Sequence, residues 1–387
     1  MDATKEKPMR HGYTTGSCAT AATQAALTAL ILQEPQAQAR IRSPIGTEVT
    51  FEIETCELVG EGGARASVIK DAGDDPDATH GARICAEVTW REEPGIVIDG
   101  GVGVGRVTKP GSPVPVGEAA INPVPRKMIR EAVEDVLNLY ELAERGVSVV
   151  ISVPDGEEIA KKTLNGRLGI LGGISILGTR GIVVPFSTSA YKASVAQAVR
   201  VAVAGGCKHV VLSTGGRSEQ YGMSMYPDLP EEAFIEMGDF VGFALKQCKA
   251  KQVEKVTLVG MMGKFSKVAQ GVMMVHSKSA PVDFGFLARV AEEAGAPESL
   301  LEEIRGANTA AQVGDRMQAE GNHAFFEKLC YYCRRAGLEE TGGGLEIETA
   351  IISMKGELAG TRGRAFYAGR RYITNDECEY ESDRDRG

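Results

Sequence analysis

The sequence predicts a two-domain protein, α+β in its first part and α/β with a largely parallel sheet in its second. Three observations predict it. The chain has 387 residues, more than one core usually takes. Residues 1–145 carry short alternating apolar runs between two helical patterns. Residues 146–355 repeat strand–helix–strand with glycine at the strand ends, as parallel sheets do. Residues 356–387 read as a C-terminal extension, partly disordered, with mixed charges from Asn375 onward.

In the first domain an Ala-rich helix runs from Cys18 to Leu32, with Thr15 or Ser17 as its cap and Pro35 as its stop. Strand alternation follows at Glu48–Ile53, Ala64–Ile69 and Ile84–Trp90, and Ile96–Asp99 reads as a short buried strand. Pro110, Pro113, Pro115, Pro123 and Pro125 make a stiff loop. A helix from Arg126 to Glu144 places Ile129, Val133, Val136 and Leu137 on one side.

The second domain opens with the apolar run Val147–Val153 and a glycine-rich stretch, Gly166–Gly181, ending in strand Ile182–Val184. Helix Tyr191–Ala204 leads to strand Val210–Leu212. Helix Glu231–Lys249 leads to strand Lys255–Val259. Helical patterns fill Phe284–Arg335, and Leu345–Ile352 alternates like a last strand.

Composition narrows the function. A net charge of −9 argues against nucleic acid as a partner and still allows a local basic pocket for an anionic small molecule. No window carries the roughly 18 apolar residues of a membrane helix, and the start Met1–Lys7 lacks a signal-peptide run. The expectation is a cytoplasmic protein with no membrane partner, and a homo-oligomer is left open. The eight cysteines read as reduced thiols. Cys330-Tyr331-Tyr332-Cys333 has no second CxxC or spaced histidine pair for structural zinc, so no metal site is expected.

Five segments carry the chemistry. Gly12–Ala19 is a glycine-and-hydroxyl turn feeding a helix start, where N–H groups face an anion. Gly100–Gly105 follows a strand, but Pro110 forbids the helix a dinucleotide loop must open. It reads either as a tight packing loop or as backbone beside a bulky ligand. Asp71, Asp74, Asp75 and Asp77 crowd one segment. The spacing is wrong for an EF-hand, which leaves a capped turn or a cluster that accepts protons and ring N–H groups. Gly166–Gly181 is either a packing loop or a wall for a planar ligand. Thr214-Gly215-Gly216-Arg217 ends one predicted strand and Gly263 follows another, which marks a cofactor crevice of an open α/β sheet, with Glu219 placed for ribose hydroxyls. His276, Ser277 and Asp283 lack a nucleophile elbow, so a Ser-His-Asp hydrolase is not expected.

Several segments together resemble one family. They are Gly12-Tyr13-Thr14-Thr15-Gly16-Ser17-Cys18-Ala19, the Lys70–Thr79 block, Gly103–Gly111 with Ala120–Arg126, Gly169–Thr179, the Gly215-Gly216-Arg217 turn, and Gly263-Lys264 through His276-Ser277. The chain resembles the CbiD family over residues 9–355, departing at Lys278, where Arg is usual. The resemblance implies a first domain similar to the second domain of ribosomal protein S5 and a three-layer α/β second domain. It also implies methyl transfer from S-adenosylmethionine to C1 of cobalt-precorrin-5B in anaerobic cobalamin biosynthesis, the cobalt belonging to the tetrapyrrole substrate. Thr14, Thr15, Ser17, Lys109, Arg126, Arg167 and Arg180 are then expected to bind substrate, and Asp71 or Asp74 to take a proton. Thr214, Gly215, Gly216, Arg217 and Gly263 are expected to hold the donor. The competing readings are a nucleotide-dependent small-molecule transferase and a non-catalytic tetrapyrrole carrier.

Overall fold

The chain divides into two units, Met1–Ala190 and Tyr191–Gly387, in a computed structural model that describes residues 9–352. The extension expected at 356–387 lies outside the described residues. In the first unit, β1 (Gly12–Tyr13) leads directly into α1 (Thr15–Leu32). The helix starts earlier than expected because Thr14 is the cap: its hydroxyl accepts the Ser17 N–H at 3.2 Å. It ends at Gln33, in the left-handed region at φ 56°. Cys18, Ala19, Ala22, Ala25, Ala26 and Ala29 are buried, and their small side chains let the helix lie within the core. The helix does have the length and apolarity of a membrane span, which the sequence reading missed, and 78% of it is buried inside the protein.

β2 (Gln38–Arg42) and β3 (Glu48–Glu52) pair antiparallel. β4 (Thr55–Val59), β5 (Gly63–Ile69), β6 (Arg83–Arg91) and β7 (Ile96–Gly100) belong to the main sheet. After β8 (Gly103–Val104) and β9 (Arg106–Val107), α2 (Pro123–Leu139) starts inside the proline loop, since proline suits a first turn. β10 (Gly146–Ser152) then completes the order β4-β5-β6-β10-β7. It runs antiparallel to β6 and parallel to β7, with Val147, Val149 and Ile151 fully buried. The expected boundary at 145/146 therefore moves. The apolar run after it is a strand inside the first unit's sheet, and the chain leaves that unit only after Ala190.

α3 (Gly156–Ala160) precedes β11 (Ile170–Leu171), β12 (Gly173–Ile174) and β13 (Ile182–Val183). The glycine-rich stretch thus folds back within the first unit, pairing β11 with β9, β12 with β8 and β13 with β1. Close approach explains part of its glycine: a Cβ on Gly173 would stand 2.1 Å from the Gly103 carbonyl oxygen.

α4 (Thr188–Ala204) carries the chain into the second unit, followed by β14 (His209–Ser213) and α5 (Gly216–Met225). The helix expected over Glu231–Lys249 is three elements. They are a 3-10 turn at Glu231–Ala233, β15 (Phe234–Glu236) and α6 (Val241–Ala250). β16 (Lys255–Met261), α7 (Met262–Val268), α8 (Phe284–Glu293), α9 (Glu298–Arg305), α10 (Ala310–Ala319), α11 (His323–Thr341) and β17 (Glu346–Ile352) complete it. The strands lie in the order β15-β14-β16-β17, all parallel. Val210, Leu212, Val256, Leu258 and Ile347 join the core of α6 and α11, whereas Val211, Val259 and Ala350 join a second core with Tyr221 of α5. The chain leaves β14 toward β15 on one side and β16 toward β17 on the other. Neighbouring strands whose connections part in this way mark the switch point where open α/β sheets bind ligands.

Candidate functional site

Three segments of the first unit meet around β1. Gly12 and Tyr13 pair with Val183 and Ile182, His11 bridges to Gly73, and the Tyr13 N–H donates to Asp71 O at 2.7 Å. The side chains and most backbone N–H groups of the α1 start are engaged here. The Ser17 hydroxyl donates to Gly181 O at 2.7 Å, the Thr15 hydroxyl accepts the Leu177 N–H at 2.8 Å, and the Gly16 N–H donates to Leu177 O at 2.8 Å. Thr15 and Ser17 are 5% and 1% exposed. These side chains hold the Leu177–Gly181 loop, which is the geometry of positioning residues. Arg180, in the same loop, is exposed.

The aspartates act as latches. Arg10 grips the Asp71 carboxylate through both terminal nitrogens, and the Gly73 N–H adds a bond at 2.9 Å. The Arg10 hydrogen bond first, then that of Gly73, pulls the Asp71 carboxyl down to about 2. A base so weak is mismatched to neutral pH, which weighs against the proton-accepting role expected of Asp71. Asp74 is exposed and accepts the Arg10 backbone N–H at 2.6 Å. Asp75 accepts the Phe186 N–H at 2.9 Å. Phe186 is 67% exposed and left-handed at φ 53°, an unusual state for a bulky residue. Asp77 pairs with Lys70 at 2.6 Å, and Lys70 is 1% exposed.

Lys109 lays its stem against Gly169, where a Cβ would stand 2.4 Å from Lys109 Cγ, and its Nζ is 3.5 Å from Arg167 O. The structure thus brings Lys109 to the Arg167 loop. Arg126, in the first turns of α2, donates to Ile98 O at 2.9 Å and lies 3.4 Å from Glu118. It lines a cleft of about 350 Å³ with Pro113, Ile121, Lys127 and Arg130, at the small end of small-molecule pockets.

In the second unit the expected residues converge at the switch point. Ser213 closes β14, Thr214 follows it, Gly215 caps α5, and Gly263 follows β16 in α7. No atom lies within 4 Å of a Cβ built on Gly215, Gly216 or Gly263. Packing therefore does not require these glycines, and their backbone faces open space. Arg217 is exposed. Two residues outside the expected set complete the crevice. Lys264 Nζ donates to Thr214 O at 2.9 Å and lies 3.0 Å from Asp239 Oδ1. The Asp239 carbonyl accepts the Val275 N–H at 3.0 Å, and Lys267 Nζ donates to His276 O at 3.1 Å, which brings the His276 loop to the same place.

The crevice also holds two buried polar atoms that take no hydrogen bond. Ser213 Oγ, in a wholly buried residue, has no hydrogen-bond partner, and neither does the buried Asp239 Oδ1, because Lys264 lies off its bonding direction. Buried polar atoms without partners are rare and call for a ligand or water. Burial first, then Glu236, Asp239 and Glu219, push the Tyr191 phenol up to about 12, so three carboxylates lie within electrostatic reach of it. Asp239 escaped the sequence reading because β15 was taken for helix. The signal was present: an acidic residue about twenty positions beyond a glycine turn is where a ribose or charged group is met.

Among the described residues no group of three or more His, Cys, Asp or Glu is placed to hold a metal. Cys330 and Cys333 are free thiols buried in α11, and burial pushes the Cys330 thiol up to about 12.

A parallel sheet with an open, under-satisfied crevice at its switch point, joined to an α+β unit, defines a small-molecule-binding α/β protein. The CbiD family model matches residues 2–185, and the model of the CbiD C-terminal domain matches residues 274–363. A relative from Geobacillus kaustophilus (strain HTA426), named cobalt-precorrin-5B C(1)-methyltransferase, is 69% identical over 355 residues, covering 92% of this chain and 95% of its own. A protein of the same name from Priestia megaterium is 66% identical over 354 residues, covering 92% and 96%. A crystal structure of the cobalamin biosynthesis protein CbiD from Archaeoglobus fulgidus is 27% identical, covers 83% of this chain and 87% of that one, and has a TM-score of 0.38. The chain belongs to the CbiD family.

Proposed function

We propose that the chain is a cobalt-precorrin-5B C(1)-methyltransferase that uses S-adenosylmethionine as its methyl donor. The observation that carries this is the 69% identity, over 92% of the chain, to a relative of that name. In this reading the second unit holds the donor and the first unit the tetrapyrrole. The unpartnered Ser213 Oγ and the Lys264–Asp239 pair support a ligand between Thr214–Arg217 and Gly263. The carboxylates Glu219, Glu236 and Asp239 around Tyr191 favour a cationic sulfonium over a nucleotide triphosphate, which they would repel. The two-layer first unit, with α1 and α2 packed on one sheet, supports the S5-like reading.

S-adenosylmethionine supplies an electrophilic methyl group when bound. The chain's own task is to hold donor and nucleophilic carbon in line and to exclude water. Lys109, Arg126, Arg167 and Arg180 meet the carboxylates at the macrocycle's rim. Thr15 and Ser17 act through the loop they hold. Asp74, exposed and not gripped by a guanidinium, takes the proton-accepting role in preference to Asp71. Calorimetry on the full chain tests this. S-adenosylhomocysteine binds and ATP does not. Binding of ATP in its place makes the chain a nucleotide-dependent transferase, and macrocycle binding without S-adenosylhomocysteine binding makes it a carrier.

A further inference from the structure

We propose that the Lys264–Asp239 pair receives the amino-acid end of the methyl donor, the donor's carboxylate on Lys264 and its ammonium on Asp239. The inference rests on the donor-site reading above. Lys264 sits in the first turns of α7, immediately beyond β16, and Asp239 three residues beyond β15. The two side chains therefore meet across the carboxyl edge of β14, at Thr214.

An ammonium carries three donors. One of those on Lys264 goes to Thr214 O at 2.9 Å. Asp239 Oδ1, at 3.0 Å, takes none in bonding direction. The lysine is thus fixed in place with donors to spare, and the aspartate is ion-paired with it through an oxygen that takes no hydrogen bond. The backbone of Asp239 is held by the Val275 N–H at 3.0 Å, so the carboxylate stays at the edge. Their side chains are 37% and 24% exposed, open enough to be met and sheltered enough for the charges to matter.

A zwitterion suits such a pair. Its two charges replace one ion pair by two without leaving either protein charge uncompensated. A ligand carrying only an anion or only a cation would leave one member facing nothing. The adenosine half then turns toward the open backbone of Gly215 and Gly216.

Two probes separate this from a latch between loops. S-adenosylhomocysteine carries the amino-acid end, and 5′-methylthioadenosine lacks it. On the full chain, Lys264→Gln and Asp239→Asn are each expected to weaken S-adenosylhomocysteine binding by about tenfold or more. Binding of 5′-methylthioadenosine should hold within about twofold, which also shows that the crevice is still folded. Lys264→Arg keeps the charge and should recover part of the loss. Equal losses for both probes, or no loss for either, overturn the proposal while leaving the donor site standing. A wild-type chain that binds neither probe removes the donor site and this inference with it.

Discussion

The Arg10 guanidinium holds both oxygens of Asp71, and the Gly73 N–H holds one of them again. With the carboxyl pulled from 3.8 to about 2, the folded state binds the Asp71 proton less tightly than the unfolded chain does. The stability this contributes is complete above about pH 4 and is lost as pH falls through 2. Both side chains are about half exposed, so the contribution is small and salt screens it. Asp71→Asn should therefore lower the urea midpoint slightly at pH 7, and the gap should close between pH 4 and pH 2. A gap that is the same at both ends would mean that Asp71 acts by shape and not by charge. The sequence showed the aspartate cluster but not its partners. Arg10 is 61 residues from Asp71 and Phe186 is 111 from Asp75, and no local spacing reports such distances. The same limit hid the partner of Ser17, whose hydroxyl was visible as part of a helix start while its acceptor, Gly181 O, lies 164 residues on.

Among elements, α5 is held at both ends. Its first turn borders the crevice, and Tyr226 at its C-terminus donates to Glu348 of β17 at 2.7 Å. Glu348 also accepts from Lys255 at 2.6 Å and Thr257 at 3.1 Å, and His209 lies 2.8 Å from the Thr257 hydroxyl. This polar network ties α5 across three strands at the edge opposite the crevice. Tyr226→Phe removes the hydrogen bond donated to Glu348 and the one accepted from Thr257 at 3.2 Å, and leaves Glu348 with its other partners. The expected cost is about 1 kcal/mol of stability, read from the urea midpoint. Because about 15 Å of helix separates Tyr226 from the crevice, S-adenosylhomocysteine affinity should be unchanged. A loss of affinity would show that the network sets the position of the α5 start. The glycines flanking α5 were legible because Gly215-Gly216 punctuates an apolar strand. β15 was not, since Phe234 and Ile235 fit a buried strand and a helix face equally well. Only the pairing of Val211 with Phe234 decides it, and that contact is nonlocal.

For the whole molecule, the two units keep separate cores. α1, α2 and the five-stranded sheet form one, and the parallel sheet with α4, α6 and α11 forms another. The run Val147–Val153 shows why the boundary could not be read locally. Apolar residues in sequence specify a strand, while only its neighbours β6 and β7 assign it to a unit. Separate cores give the division of labour a direct test, because a ligand stabilises the cooperative region that forms its site. At a hundredfold excess over Kd that amounts to about 2.7 kcal/mol, large enough to slow amide exchange throughout such a region. In the full chain, S-adenosylhomocysteine should protect β14, the start of α5, residues 237–240 and α7. It should leave residues 12–18, 71–79 and 177–186 at their free rates. A cobalt corrinoid with free side-chain carboxylates should do the reverse. Protection by S-adenosylhomocysteine centred on residues 12–18 and 71–79 would move the donor to the first unit. Thr214, Gly215, Gly216 and Gly263 would then be left as a crevice for a different ligand.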